Sequence, residues 1–100
     1  MAQDDASTAD PMHYQVVHED DRVRVLRASY GPGEKSPQHA HPRLIAITLT
    51  DAHIRFAAPG GDVQEIRLKR GEVLPMPATV HAPENLSDQA FEVMLVELKD

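Results

Sequence analysis

The sequence predicts an all-β domain, a sandwich or barrel built from short strands. Stretches of alternating apolar residues recur along the chain, and turn residues separate them. Eight prolines are spread over the 100 residues, and no long amphipathic helix pattern interrupts the strands. Many short strands with regular turn signals are typical of sandwiches and barrels.

The strand pattern begins only after an N-terminal segment without apolar periodicity. Residues 1–12 are polar, acidic and contain Pro11, so we expect a flexible, loosely attached tail there and a barrel over 13–100. The expected strands lie at 14–18, 22–30, 43–50, 53–56, 65–69, 72–76, 80–85 and 91–98.

Two turn signals and one strand pattern support this arrangement. Gly31-Pro32-Gly33 breaks the chain, and Pro59-Gly60-Gly61-Asp62 predicts a hairpin between its flanking strands. The final strand, 91–98, is apolar on both faces, as expected of a central strand that is covered on both sides.

Charge and composition narrow the partners that we expect. Ten Lys and Arg against sixteen Asp and Glu give a net charge of −6, which repels nucleic acid and anionic lipid. The basic cluster Arg67, Lys69 and Arg70 reads as a solvated strand face. No apolar run approaches the roughly 18 residues of a membrane span, and the polar start is unlike a signal peptide. With no cysteine, a cytoplasmic protein without nucleic-acid or membrane partners is expected.

A pair of histidines forms the first candidate metal site. On a strand, the side chains of His39 and His41 point to the same face, about 6.6 Å apart along the chain. Two imidazoles so placed can converge on one ion at about 2.1 Å each. Six histidines in the chain make such a pair a weak signal by itself.

The surrounding residues resemble the two motifs of the cupin superfamily. The first motif has the form G-x5-H-x-H-x3-E-x6-G, and Gly33, His39 and His41 match it. The second runs from a glycine through a P-x-G turn to H-x3-N; its matching residues here are Gly71, Pro77, His81 and Asn85. The resemblance covers Gly33 to Asn85, and the closing strand is similar to the last strand of small one-domain cupins. It implies a small cupin-type β-barrel (a double-stranded β-helix, or jelly roll) with a flexible N-terminal tail, and also a homodimer.

The chain departs from these motifs at several positions. Ile45 stands where the first motif has its glutamate, Ala52 replaces its closing glycine, and Thr79 replaces the glycine of a shortened P-x-G turn. The resemblance therefore implies a metal held by His39, His41 and His81 without a carboxylate.

An all-imidazole site of this kind suits one divalent transition metal, Fe, Zn, Ni or Cu. Without the carboxylate, the site carries one more unit of positive charge and favours an anionic or chelating ligand. The likeness of the ligand set to thiol dioxygenases and diketone-cleaving dioxygenases points to dioxygenase-like or isomerase-like chemistry on a small polar or anionic molecule.

Other readings of the same residues stay open. The three histidines are alternatively polar lining residues of a degenerate structural barrel, or part of a module that binds a small ligand without turnover. The sequence does not decide whether the chain is an enzyme, because no catalytic acid or base stands out.

Possible pocket residues are Arg43 at the barrel mouth, Ile45 and Asn85. The preferred interpretation of Arg43 is nevertheless an exposed strand end, and that of Asn85 is a role in satisfying backbone groups. If 39–49 were a single strand, Ile45 would look into the barrel beside the metal, unless Pro42 breaks the register. Surface or strand-face positions are expected for the remaining histidines, and Tyr14 and Tyr30 are pocket candidates only as strand tyrosines.

Overall fold

A computed structural model describes residues 4–100 of the chain. Within these residues, nine strands and one short helix follow one another. Their bounds are α1 Ala6–Ala9, β1 Tyr14–Glu19, β2 Val23–Tyr30, β3 His39–His41, β4 Leu44–Thr48, β5 Ala52–Ala57, β6 Val63–Leu68, β7 Val73–Met76, β8 Thr79–Asn85 and β9 Phe91–Leu98.

The strands form two antiparallel sheets whose inner faces enclose the core. The first has the order β1-β2-β9-β4-β7 and the second β3-β8-β5-β6. Inward residues alternate with outward ones, most regularly on β9, where every second residue from Phe91 onward is buried. The all-β prediction is confirmed, and within residues 4–100 the helical structure is a single turn. None of it has the length and apolarity that a membrane crossing requires.

The turns follow the glycine signals. β5 and β6 pair in antiparallel register across the Gly60-Gly61 turn, which confirms the predicted hairpin. Gly33 and Gly71, the glycines that open the two motifs, have φ values of 72° and 84°. L side chains rarely adopt this left-handed conformation, so the turns preceding the histidine strands need glycine.

The N-terminal segment is packed onto the sheets, and the prediction of a loosely attached tail is wrong for residues 4–12. Ala6 is fully buried, and the Ala40 N–H donates to the Asp4 carbonyl at 2.8 Å. Asp5 caps α1 by accepting from the Ser7 N–H. A one-turn helix is too short to show apolar periodicity, and its contacts are with residues distant in sequence. The prediction for residues 1–3 lies outside the described part of the chain.

The segment from β3 to β4 changes which face is buried. His39 and His41 are buried on β3, but on β4 the buried residues are Leu44, Ala46 and Thr48. Pro42 and Arg43 lie between the two strands and shift the alternation by one residue. Ile45 therefore lies on the outer face of β4, and the prediction that it looks into the barrel is wrong.

Candidate metal centre

The three motif histidines meet inside the barrel. His39 and His41 lie two residues apart on β3, and His81 lies directly opposite His39 in the register with β8. All three are buried, with exposures of 0% for His39, 4% for His41 and 7% for His81. Strand alternation places the first pair on one face, and only the pairing of β3 with β8 brings the third imidazole to them.

The three rings surround a common point. The ring centroid of His39 lies 4.8 Å from that of His41 and 5.0 Å from that of His81. The ring centroids of His41 and His81 are 5.1 Å apart. One nitrogen from each ring lies within 4.8 Å of the other two. Three nitrogens evenly spaced around an ion at about 2.1 Å are at most about 3.6 Å apart, so coordination requires the rings to move closer together.

The protein fixes which nitrogen of His39 faces that point. Its Nδ1 lies 3.1 Å from the Pro37 carbonyl oxygen and 3.1 Å from Ser36 Oγ. A carbonyl only accepts hydrogen bonds, so Nδ1 carries the proton. The unprotonated Nε2 of His39 is consequently left to face the other rings, as a metal ligand requires.

His41 is held by a carboxylate. Its Nδ1 donates to Glu97 Oε2 at 2.7 Å, and the Glu97 side chain is 4% exposed. A carboxylate on the far nitrogen of an imidazole fixes the ring's tautomer and orientation and makes the near nitrogen a better ligand. Such an arrangement is a recurrent feature of metal-binding histidines.

The remaining nitrogens have no partner in the described structure. Within residues 4–100, the Nε2 atoms of His39 and His81 are buried and without a hydrogen bond. His81 stacks on Phe56, with centroids 4.8 Å apart, so its ring position is set by packing. A buried polar atom without a partner costs free energy, so these lone pairs point to a missing ligand. The donor set fits a divalent transition metal.

The electrostatics of the site keep the imidazoles of His39 and His81 neutral. Burial, followed by the nearby His41 ring, lowers the pKa of His39 to about 4, although the Pro37 carbonyl opposes this shift. Burial and the neighbouring His41 and His39 lower the pKa of His81 to about 3. Neutral imidazole is the form that binds metals, so both side chains are in that form at pH 7.

A small cavity of about 50 Å³ opens beside the histidines. His41 and His81 form part of its wall, and most of the rest is aliphatic or aromatic. The cavity has room for only a few waters. Among residues 4–100, no Lys, Arg, Asp or Glu lines it.

Two tyrosines supply the other polar atoms of the cavity wall. The hydroxyls of Tyr14 and Tyr30 are hydrogen-bonded at 2.7 Å, and Tyr14 packs edge-on against His39 and His41. Burial raises the pKa of Tyr14 well above its ordinary value, with Tyr30 adding to the shift. Burial also raises the pKa of Tyr30. Both phenols therefore stay protonated.

Of the three possible pocket residues, none lines the cavity. Arg43 is exposed and forms an ion pair with Asp100. Ile45 faces outward, as described above. Asn85 is fully buried, but its Nδ2 serves backbone carbonyls, among them those of Gly31 at 3.0 Å and Gln89 at 2.9 Å. Arg43 thus lies at an exposed strand end, and Asn85 satisfies backbone groups.

The histidines outside the motifs divide into two groups. His18 is exposed and bonded to Asp20, and His53 bonds Glu65 across the β5–β6 pair, as the sequence predicts. His13 is instead buried, stacked face to face on Tyr30 at 4.1 Å. The expectation of a surface or strand-face position is therefore wrong for His13. Its burial results from packing against Tyr30, which is distant in sequence.

Known structures resemble the fold of this chain. A cupin domain from Bordetella pertussis Tohama I superposes with a TM-score of 0.80 and is 25% identical, covering 87% of this chain and 92% of its own. A cupin superfamily protein from Desulfitobacterium hafniense DCB-2 has a TM-score of 0.64 and 26% identity, covering 87% and 76%. This chain belongs to the cupin superfamily. No family sequence model and no curated protein matches the sequence.

A more distant likeness agrees on the fold alone. An RmlC-like cupin family protein from Methanocaldococcus jannaschii has a TM-score of 0.66 at 15% identity, covering 85% of this chain and 77% of its own. The two sheets are thus those of the cupin double-stranded β-helix, as the motifs predict.

Sequence reasoning missed one residue that contacts the candidate site. Glu97 is on the same face of β9 as Phe91, Val93 and Leu95, so strict alternation over 91–98 places it inside the barrel. An acidic residue on a buried strand face signals a partner that compensates its charge. That partner, His41, is 56 residues away, a separation across which no sequence pattern links the two.

Proposed function

We propose that this chain is a metal-binding cupin in which His39, His41 and His81 hold one divalent transition metal, Fe, Zn, Ni or Cu. The observation that carries the proposal is the convergence of three buried imidazoles, two of which have orphaned Nε2 atoms. The hydrogen bonds to the Nδ1 atoms of His39 and His41 support the same ligand set, because they turn each Nε2 inward.

The function that this site fits best is dioxygenase-like or isomerase-like chemistry on a small molecule. When bound, a metal of this class polarises a carbonyl as a Lewis acid or activates dioxygen. The chain's own residues surround the cavity with mostly aliphatic and aromatic side chains, and the Tyr14–Tyr30 hydroxyl pair offers a neutral hydrogen-bond donor beside the histidines.

The cavity wall restricts the ligand that such a cupin accepts. With no charged side chain along it among residues 4–100, the wall offers nothing to neutralise a charge on the body of a ligand. The ligand's polar or anionic group must therefore bind at the histidines, and the rest of the molecule must be small and uncharged.

The experiment that tests the proposal is elemental analysis of tag-free protein. We expect about one equivalent of metal in the wild type and a loss of most of it in His39→Ala, His41→Ala and His81→Ala. His18→Ala is the matched control, because His18 is exposed and far from the motifs. Stoichiometric metal in all three ligand variants, or none in the reconstituted wild type, would contradict the proposal.

A second candidate is a cupin that binds a small ligand without turnover. The cavity of about 50 Å³ is small, and the nearest carboxylate, Glu97, is already bonded to His41. No described acidic side chain is left free at the site to act as a general base. Ligand-induced thermal stabilisation without product favours this candidate, and any metal-dependent product rules it out.

We further propose a homodimer formed through the outer face of the five-stranded sheet. Val25, Val96 and Ile45 lie in register across three neighbouring strands, and Met94, Ile47 and Val73 form the adjacent row. Within residues 4–100 these side chains are partly exposed, and Val73 is the most exposed of them at 62%. The nearby charges are paired, as in Arg27–Glu92 and Lys99–Glu19, so a second copy meets little repulsion despite the net charge of −6.

Sedimentation equilibrium tests the dimer. We expect a dimer for the wild type and a monomer for Ile45→Glu, which places a charge on the proposed interface. Arg55→Glu on the other sheet is the control and should stay dimeric. A monomeric wild type at micromolar concentration, or a dimeric Ile45→Glu, would overturn this proposal.

A further inference from the structure

The N-terminal segment lies directly against the strand that carries two of the histidines. β3 is the edge strand of its sheet, with β8 on one side. On its other side the Ala40 N–H, between the two histidines, donates to the Asp4 carbonyl at 2.8 Å. Asp5 forms a parallel bridge with Ala40. Residues 4–10 thus lie along the edge of β3 that is opposite β8.

The same segment is connected to His41 by a chain of polar contacts. Arg24 Nη2 binds the Asp5 carboxylate and donates to Ser7 Oγ at 2.7 Å. Arg24 Nε lies 3.5 Å from Glu97 Oε1, and the other oxygen of Glu97 accepts from His41 Nδ1. Asp5 and the metal-ligand candidate His41 are therefore linked through two side chains.

The two side chains in the middle of this connection, Arg24 and Glu97, are mostly buried. Arg24 points inward on β2 with a side-chain exposure of 21%, and Glu97 is 4% exposed. Within the described residues, Arg24 Nε is buried and has no hydrogen bond, so the Glu97 carboxylate is its nearest compensating group. If Asp5 left, the guanidinium would lose its other anionic partner and shift, and Glu97 would follow it.

We propose that residues 4–10 are part of the metal centre and that their docking is coupled to metal binding. Asp5 and Arg24 are positioning residues, which act on the metal through Glu97 and His41. Since the coupling is reciprocal, bound metal tightens the docking of α1 by the same factor by which docking tightens metal binding. This inference rests on the three-histidine site proposed above.

The first arm of the test measures Zn²⁺ affinity by competition with a chromophoric chelator. We expect Arg24→Met to weaken Zn²⁺ binding about tenfold and Asp5→Ala about fivefold. Arg27→Met is the matched control, since Arg27 is on the same strand but exposed and paired with Glu92. Its affinity should stay within about twofold of the wild type.

The second arm measures amide hydrogen exchange in α1, which contains no metal ligand. The Ala9 and Asp10 amides donate to the carbonyls of Asp5 and Ala6. In the wild type, Zn²⁺ should slow the exchange of these two amides by about the same factor by which Asp5→Ala weakens Zn²⁺ binding. In Arg24→Met, Zn²⁺ should slow their exchange much less.

The outcomes separate this inference from the proposed function. Unchanged Zn²⁺ affinity in Asp5→Ala and Arg24→Met, or exchange in α1 that ignores Zn²⁺, overturns the coupling while leaving the site intact. A wild type that binds no Zn²⁺ overturns the metal site and with it the coupling. Should Arg24→Met fail to fold, Asp5→Ala decides, because its side chain is 34% exposed and outside the core.

Discussion

Glu97 Oε2 accepts a hydrogen bond from His41 Nδ1 at 2.7 Å, and both side chains are almost completely buried. The carboxylate comes from the last strand, β9, and the histidine from β3, so this contact joins the two sheets beside the cavity. It places the carboxylate charge of Glu97 on the far side of one of the three candidate ligands, although the glutamate of the usual cupin motif is replaced by Ile45.

The first prediction concerns this charge. Glu97→Gln keeps an acceptor for His41 Nδ1 but removes the negative charge, so metal affinity should fall about tenfold. Chelator competition with Zn²⁺ measures the change. Glu92→Gln, on the outward face of the same strand, is the control. Equal affinities of the two variants would show that Glu97 does not act on the metal.

The second prediction concerns the stability of the metal-free protein in acid. The pKa values of His39 and His81, about 4 and about 3, lie below the ordinary 6.5. As pH falls below 6.5, the unfolded chain takes up these protons before the folded one. The free energy of unfolding therefore decreases by up to about 1.4 kcal/mol per pH unit for each histidine, until the pH reaches the folded pKa.

Urea unfolding between pH 7 and pH 5 measures this decrease. The window lies above the ordinary pKa values of Asp and Glu, so the histidines dominate the change. His81→Leu removes one of the two groups and should reduce the slope, averaged over this window, by about 1 kcal/mol per pH unit. His18→Leu, at an exposed position, should leave the slope close to that of the wild type. A His81→Leu slope equal to that of the wild type would contradict the shift assigned to His81.

The third prediction concerns Asn85, which lies at the end of β8 and connects the β2–β3 loop with the β8–β9 loop. Its Nδ2 donates to the carbonyls of Gly31 and Gln89, and its Oδ1 accepts from the Ser87 N–H at 2.9 Å. Asn85→Ala leaves these groups without a partner in a buried place, so we expect about 3 kcal/mol of destabilisation.

Thermal or urea unfolding measures the effect of Asn85→Ala. Gln89→Ala keeps the backbone carbonyl that Asn85 contacts, and it should change stability by less than about 0.5 kcal/mol. A destabilisation of Asn85→Ala as small as that of the control would mean that water replaces the asparagine without cost.

The fourth prediction concerns the hydroxyl pair of Tyr14 and Tyr30. Either single change to Phe leaves one buried hydroxyl without its partner and should cost about 1 to 2 kcal/mol. The double change removes both hydroxyls and should cost less than the sum of the single changes. Additive effects in this double-mutant cycle would show that the 2.7 Å contact contributes nothing to stability.

Local patterns were enough to predict the strands and the three histidines. Alternation of apolar residues is a property of each strand alone, so the bounds of β2 and β9 follow closely from residues 22–30 and 91–98. The spacing of His39 and His41 on one strand places both side chains on one face. His81 was found through its motif, because its partner in the strand pairing, His39, lies 42 residues earlier in the chain.

The tertiary structure alone decided the residues that support the site. Glu97, Arg24 and Asp5 reach His41 from three separate segments, and no local pattern connects residues across such distances. It also decided that Ile45 faces outward, because the break at Pro42 shifts the alternation by one residue. The sequence by itself thus determined the strands and the ligand candidates, whose signals are periodic and local. Packing between the sheets determined what surrounds those ligands, since burial and charge compensation depend on contacts distant in sequence.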